Sequence, residues 1–293
     1  MKHFTLRFRS LVCLVFVAFL AVRCGSGTAR EQIEGTAVRI KGSDTMLLLA
    51  SRWAEEFMKS HPGISVYVEG GGTERGIAAL IEGDVNLCTA SRTLLPSEVR
   101  SLLNKRGSLG LSILTAKDAL SVYLHPDNKV RNLKLDQVRD LFTGVIRNWK
   151  EFGGEDIPVT VISRPPNSGT YLFFEEHVLM GVPYTTQAVT VPSTDAVIAS
   201  VVEQLGGIGY GGLAYGDQLL HASIDGIEAT KDNVRNGSYP ISRYLYLFAA
   251  SQLEGANKRF VDWVLSDAGQ AVVEEVGFIP LWDATEFEMK ISD

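Results

Sequence analysis

The sequence predicts an α/β fold. From about Thr36 onward, runs with the two-residue period of strands alternate with runs of helical period. Few low-complexity stretches interrupt them. Three strand-like runs in succession also end in small, glycine-rich or hydroxyl-rich loops placed just ahead of a helix-like run.

Taken in order, Val38 to Ile40 reads as a short strand, and GSDT then precedes MLLLASRWAEEFMKS, where Met46, Leu49, Trp53 and Phe57 recur at helical spacing. ISVYVEG alternates Ile64, Val66 and Val68 like a strand, GGGT follows, and ERGIAALIEG reads as a short helix. VNLCTAS is a third strand, closing at Ser91 and Arg92, and PSEVRSLLNKRG is a helix for which Ser97 is the candidate cap. The middle repeats the theme with the strand LSVYLHP, the helix LDQVRDLFTGV, the strand DIPVTVIS and the loop SRPPNSGT. TDAVIASVVEQL then reads as a helix stopped by Gly206 and Gly207, leading into a buried strand. YLYLFAA is a last strand, and NKRFVDWVLS and DAGQAVVEEV are closing helices. This order permits a chain that crosses from one lobe to another near residue 118 and returns near residue 239. One lobe is then 30–118 with 239–293, and the other is 119–238.

The 293 residues are 45% hydrophobic and 21% charged, long enough for one large domain or two lobes of roughly 100 to 150 residues each. A formal net charge of -6 gives no support to a nucleic-acid partner, which needs a basic stripe. An anionic ligand would have to be captured locally.

The first ten residues carry Lys2, Arg7 and Arg9 and no acid, and they lead into the apolar run LVCLVFVAFLAV, too short to span a bilayer comfortably. Residues 1–29 therefore read as a secretory signal. Cys24 stands where a lipoprotein signal places its lipidated cysteine, although Arg23 departs from the small residue usual there. Ordinary cleavage near Ala29 and an uncleaved anchor are the alternatives; each puts the folded part outside the cytoplasmic membrane, in the periplasm or at the cell surface. With Cys13 in the leader, only Cys88 remains in the folded part, so no disulfide can form within it. Cys88 reads as a small buried strand residue. The five histidines show no metal-ligand spacing and there is no CxxC pair, so no metal and no cofactor are expected.

The first turn of a helix leaves backbone N–H groups without partners and carries roughly half a positive charge. A glycine there lets an anion approach the backbone, and a Ser or Thr adds a hydroxyl donor. GSDT (Ser43, Asp44, Thr45), GGGT (Gly72, Thr73) and SGT (Ser168, Gly169, Thr170) all fit. Each also has a plainer reading: Ser43 or Asp44 as a cap, Gly70 to Gly72 as a turn, Ser168 or Thr170 as the start of a helix. Three such loops together with Arg164 and Arg92 favour an anion site, with Arg164 placed to reach back over the Ser168 loop. An enzyme reading finds less. No histidine stands in a nucleophile elbow or triad context, and there is no GxxxxGK[ST] phosphate loop. Donors are plentiful and catalytic acids and bases scarce, which is the profile of a receptor.

KGSDTM, EGGGTERGIAALIEG, NLCTASR, ISRPPNSGTYLFFEEHVL, GGIGYGGLAYGD and YPISRYLYLF resemble the PstS family, the phosphate-binding proteins of bacterial phosphate ABC transporters. The match runs in order from about residue 38 to residue 282. It implies a periplasmic-binding-protein fold of the second type, two α/β lobes joined by a two-stranded hinge and closing on an oxyanion, without catalysis. It also implies a monomer that hands phosphate to an ABC transporter permease. Carried onto this chain, the phosphate ligands would be Ser43, Asp44, Thr45, Gly72, Thr73, Arg164, Ser168, Gly169 and Thr170. A receptor for sulfate or a phosphate ester, or an extracellular phosphatase on the same scaffold, is the alternative.

One position departs from the family pattern: some members carry an aspartate after the Ala-Ser of the third strand, where this chain has Arg92 after Ser91. That aspartate accepts the proton of hydrogen phosphate, a proton sulfate lacks. The expectation here is that Asp44 has taken over as acceptor while Arg92 adds a second cation beside Ser91. The plainer alternative for Asp44 is a helix cap.

Overall fold

The computed structural model describes residues 37–282; the leader with Cys24 lies outside them. Among the described residues, ten strands form one sheet in the order β2-β1-β3-β10-β4-β8-β6-β7, with β9 on β4 and β5 on β9. Strands β1 (Ala37–Gly42), β2 (Ser65–Glu69) and β3 (Leu87–Ala90) run parallel, and they are joined by α1 (Leu47–Ser60) and α2 (Thr73–Glu82). Met46, Leu49, Trp53 and Phe57 are all fully buried, as their spacing requires, in a core that also takes Leu247, Phe260 and Phe278 from the far end of the chain. Trp53 satisfies its indole N–H on the carbonyl of Gly269 at 2.9 Å.

The helix α3 (Pro96–Arg106) differs from expectation at its start. Leu95, not Ser97, is the cap residue, and Glu98 accepts from the Leu95 N–H at 2.7 Å. Pro96 occupies the first helical position, where the missing N–H costs nothing.

Strand β4 (Leu111–Leu124) is twice as long as the run LSVYLHP indicates. Its residues 111–119 pair antiparallel with β10 (Ser242–Ala249), and residues 120–124 pair with β8 (Gly207–Gly212). The strand thus changes partner in mid-course and carries the chain from a first core into a second. That second core gathers Phe142 of α4 (Leu135–Thr143), Trp149, Phe174 of α5 (Gly169–His177), and Ile208 and Tyr210 of β8. Strand β6 (Thr160–Ser163) lies parallel to β8, and β7 (Val189–Thr190) to β6. Helix α6 (Thr194–Val202), capped by Ser193, ends before Gly206 and Gly207; Gly207 instead opens β8. Strands β5 (Asn132–Leu133) and β9 (Leu220–Ile224) and the short α7 (Lys231–Arg235) have no counterpart in the sequence reading. The closing helices α8 (Gly255–Val264) and α9 (Asp267–Val276) pack back on the first core. Cys88 is fully buried in β3, and burial pushes its thiol far above the ordinary range.

Where β4 passes between the two cores it carries Asp118, which has no solvent exposure. Arg243 of β10 grips it with Nε at 3.1 Å and Nη2 at 2.8 Å. Burial raises the Asp118 pKa while Arg243 pulls it back. Arg243→Met would strand this carboxyl and is expected to cost about 3–5 kcal/mol near neutral pH. An unpaired, buried Asp118 has a folded-state pKa above its unfolded value, so the folded state holds the extra proton and stability returns as pH falls. Urea unfolding from about pH 7 to about pH 5 should show the deficit shrinking; a deficit constant across that interval would refute the stranded charge.

Candidate functional site

The loops singled out in the sequence meet where the two halves of the molecule face one another. Thr45 follows β1 in a single 3-10 turn (Asp44–Met46), Thr73 opens α2, Ser91 follows β3, and Thr170 lies in the first turn of α5. All four hydroxyl residues are buried. Thr45 Oγ1 stands 2.8 Å from Thr170 Oγ1, which is 3.5 Å from Ser91 Oγ, which is in turn 3.5 Å from Thr73 Oγ1. A chain of hydroxyls therefore runs from one half to the other. Each can donate or accept by rotation, so the chain can present protons to an acceptor without any backbone movement.

Two glycines allow this approach. Gly72 has φ +100°, and a Cβ there would lie 2.8 Å from the carbonyl oxygen of Asn167. At Gly169 a Cβ would collide with the hydroxyls of Thr73 and Ser91. Ser43 is buried beside the cluster, but its side chain makes no capping bond. Ser168 does cap α5, accepting from Tyr171 N–H at 3.4 Å, so the plainer reading of that residue holds.

The charged centre is Asp44 with Arg164. Arg164 Nη2 lies 2.6 Å from Asp44 Oδ2, and Nη1 donates to Thr194 Oγ1 at 3.3 Å. Asp44 Oδ1 accepts from Gly71 N–H at 2.7 Å. Asp44 thus does not cap its own helix: one oxygen serves a loop 27 residues away and the other serves the opposite half.

Arg164 is held from behind by tyrosines that the sequence reading missed. Tyr210 Oη accepts from the Arg164 N–H at 3.3 Å and from the Tyr184 O–H at 3.1 Å, so its own proton goes to Ser163 Oγ at 3.0 Å. Burial raises the pKa of Tyr210 and keeps it a phenol. Asn167 adds a strap across the halves, its carbonyl accepting from Glu74 N–H at 3.2 Å and its Nδ2 donating to Gly71 O at 3.4 Å. Tyr215 Oη donates to Thr45 O at 2.8 Å. The tyrosines sit in runs that read as buried strand or loop, and only the fold shows which backbone groups they reach.

Arg92 is not brought to the cluster. Its guanidinium turns to Glu98, with Nη1 at 2.8 Å from Oε2 and Nη2 at 2.7 Å from Oε1. It also donates to Thr93 O at 2.8 Å. The bidentate fit to a carboxylate that already bonds Leu95 N–H holds the side chain on its own half, against the expectation of a second cation beside Ser91.

Residues 25–268 match the family described as PBP superfamily domain, and the chain belongs to this superfamily. It is 31% identical over 263 residues to the phosphate-binding protein PstS of Pseudomonas aeruginosa, covering 82% of this chain and 81% of that protein. To the Bacillus subtilis PstS it is 28% identical over 288 residues, covering 93% and 94%. A crystal structure of a putative phosphate ABC transporter substrate-binding protein from Clostridium perfringens, with bound phosphate, superposes with a TM-score of 0.78 at 31% identity, covering 84% of this chain and all (100%) of that one. Within the superfamily, this chain is a member of the PstS family of phosphate-binding proteins.

Since the space at Gly169 is shared by hydroxyls of the opposite half, Gly169→Ala should wedge the halves apart while leaving each core intact. Small-angle scattering is expected to give a larger radius of gyration than wild type, with the thermal midpoint changed by no more than about 5 °C. An unchanged scattering curve would mean that position 169 does not govern closure.

Proposed function

We propose that this protein is an extracytoplasmic receptor that captures inorganic phosphate and delivers it to the permease of an ABC transporter. The observation that carries the reading is the convergence of buried hydroxyls from Thr45, Thr73, Ser91 and Thr170 on one another, three of the four in first turns of helical segments, with Asp44, the neighbour of Thr45, paired to Arg164. Such first turns offer N–H groups to an oxyanion. The relatives' names and the phosphate held by the Clostridium perfringens protein support the same ligand.

The ligand set we propose is Ser43, Asp44, Thr45, Gly72, Thr73, Ser91, Arg164, Ser168, Gly169 and Thr170, without Arg92. Residues 30–118 with 239–293 and residues 119–238 act as the two lobes, bending where β4 and β10 cross and closing over the anion. The protein works as a monomer, exported by its leader and tethered through a lipid on Cys24. It binds and does no chemistry: the ionisable groups in the cluster, Asp44 and Arg164, are paired with each other. Among the described residues, no group of three or more His, Cys, Asp or Glu could hold a metal ion, and no helix is long and apolar enough to cross a membrane.

Asp44 sets the preference for phosphate. An ionised carboxylate offers about four lone-pair sites, and Gly71 and Arg164 take two. A remaining one can accept the P–OH proton of hydrogen phosphate. Sulfate has no such proton, and its oxygen would face the carboxylate unpaired.

Two substitutions test this reading by calorimetry on the protein lacking its leader. Asp44→Asn should lower the preference for phosphate over sulfate at least about tenfold, or about 1.4 kcal/mol; an unchanged ratio rules out the acceptor role. Arg164→Ala should cost on the order of 2–5 kcal/mol of phosphate binding, and a loss below tenfold would remove Arg164 from direct contact.

A further inference from the structure

A groove of about 690 Å³ opens on one flank of the molecule, and Ser91, closed to solvent, separates it from the hydroxyl cluster. Its walls come from three segments. Leu95 stands at the start of α3, Leu172 and Phe173 lie in α5 with Met180 just beyond, and Tyr244 and Tyr246 belong to β10. In the two-lobe reading these are one lobe, the other lobe and the crossing between them. Three of the six are well exposed although apolar, Leu95 at 41%, Met180 at 67% and Tyr244 at 41%. Apolar side chains gathered from separate segments around one concavity mark a contact surface, which singly scattered ones do not.

Met180 adds a separate argument. Its φ of +56° lies in the left-handed region, which among the described non-glycine residues only Asp225 shares. An L side chain is disfavoured there, and methionine lacks the local hydrogen bonding that lets Asp or Asn tolerate it. A side chain so exposed recovers little of this by packing within the protein. The backbone thus holds a flexible, polarisable apolar group out at the edge of the groove, a residue type that adapts to a partner's surface. The charges narrow the partner further. Arg92 and Arg243 line the groove but are neutralised within the protein, by Glu98 and Asp118. Glu175 accepts only a long bond from the Tyr171 O–H at 3.4 Å, and Glu176 is exposed, so both carboxylates can receive a cation. An apolar floor edged by two available carboxylates complements a bulky apolar side chain with a lysine or arginine beside it.

We propose that this groove is the docking surface for the transporter's permease, taking an extracytoplasmic loop that presents a bulky apolar side chain next to a basic one. The apolar side chain fills the groove against Leu172, Phe173 and Tyr246, Met180 and Tyr244 close over it, and the basic group meets Glu175 and Glu176. Because both lobes and the crossing shape the walls, the groove has this form only in the closed arrangement, and the permease engages the loaded receptor in preference to the empty one. The inference rests on the transport reading above and adds to it the surface and the chemistry of the contact.

The test measures docking of the phosphate-loaded protein onto the phosphate permease of the same organism, held with its ATPase in nanodiscs, alongside calorimetry with inorganic phosphate. Met180→Asn removes the apolar group and suits the left-handed backbone, so the thermal midpoint should not fall while docking weakens at least about tenfold. Joint replacement of Glu175→Gln and Glu176→Gln should slow association about threefold at low salt and flatten its salt dependence. Both variants should bind phosphate within about twofold of wild type, since neither change touches the proposed ligand set. Docking of Met180→Asn as tight as that of wild type, with phosphate still bound, overturns the inference and leaves the transport reading in place. Equal docking of loaded and empty wild type overturns it too. If wild type is a dimer that Met180→Asn dissolves, the groove joins two copies and the permease assignment is wrong. If wild type does not dock at all, the transport reading itself fails, and the inference with it.

Discussion

The contact on which the rest of the site depends is the ion pair between Asp44 and Arg164. It joins residues 120 positions apart and is almost closed to solvent, with side-chain exposures of 13% and 3%. A pair so placed gains little net stability, because the desolvation of two charges offsets most of their attraction. Its value lies in geometry. Asp44 is tied to the glycine loop through Gly71, and Arg164 is tied through Tyr210 to Ser163 and Tyr184, so forming the pair brings two rigid assemblies into one arrangement. The hydroxyls of Thr45 and Thr170 come within bonding distance as a result.

A second buried pair, Asp118 with Arg243, stands behind the first in a different role. It lies where β4 leaves one core for the other, and the same arginine donates to Ser91 O at 3.3 Å and stacks on Phe173 of α5 at 5.4 Å. One side chain thus touches the crossing strand, the loop that carries Ser91, and the helix whose first turn carries Thr170. The crossing strand is thereby joined to both of these segments by direct contacts of Arg243.

The periodic elements were legible in the sequence because burial dictates them: the helical spacing of Met46, Leu49, Trp53 and Phe57 and the alternation in ISVYVEG admit one inward face each. The hydroxyl loops were legible for a related reason, since small residues ahead of helices mark first turns. What escaped depends on long-range pairing. The early half of β4, Leu111 to Lys117, pairs throughout with β10 but has no clean alternation, because its register shifts opposite Leu245 and Tyr246, and β5 is only two residues long. Arg92 is the instructive case. Its neighbour in sequence, Ser91, enters the cluster, but Glu98 lies one turn into α3 and offers both oxygens at bidentate distance, a competition that spacing alone does not weigh. Ser97 is not the cap because the helix begins one residue earlier, at Pro96, which puts the cap position on Leu95, whose N–H Glu98 accepts.

The donor set also explains how a receptor of this kind can release what it holds. Were Arg92 in the cluster, two full cations would meet a dianion in a desolvated cleft, and charge-assisted bonds of that kind are roughly twice as strong as neutral ones. Here the hydroxyls are neutral, and the single guanidinium is already compensated by Asp44. With the proposed ligand set, anion affinity combines the Arg164 contact with several hydroxyl hydrogen bonds made at once, each correct only when both halves are in place. In the proposed two-lobe reading, opening at the crossing of β4 and β10 would break them together, since Thr45, Thr73 and Ser91 belong to one half and Arg164 and Thr170 to the other. On that proposal binding tightness is coupled to closure, and a partner that pulls the halves apart needs no chemistry to discharge the ligand.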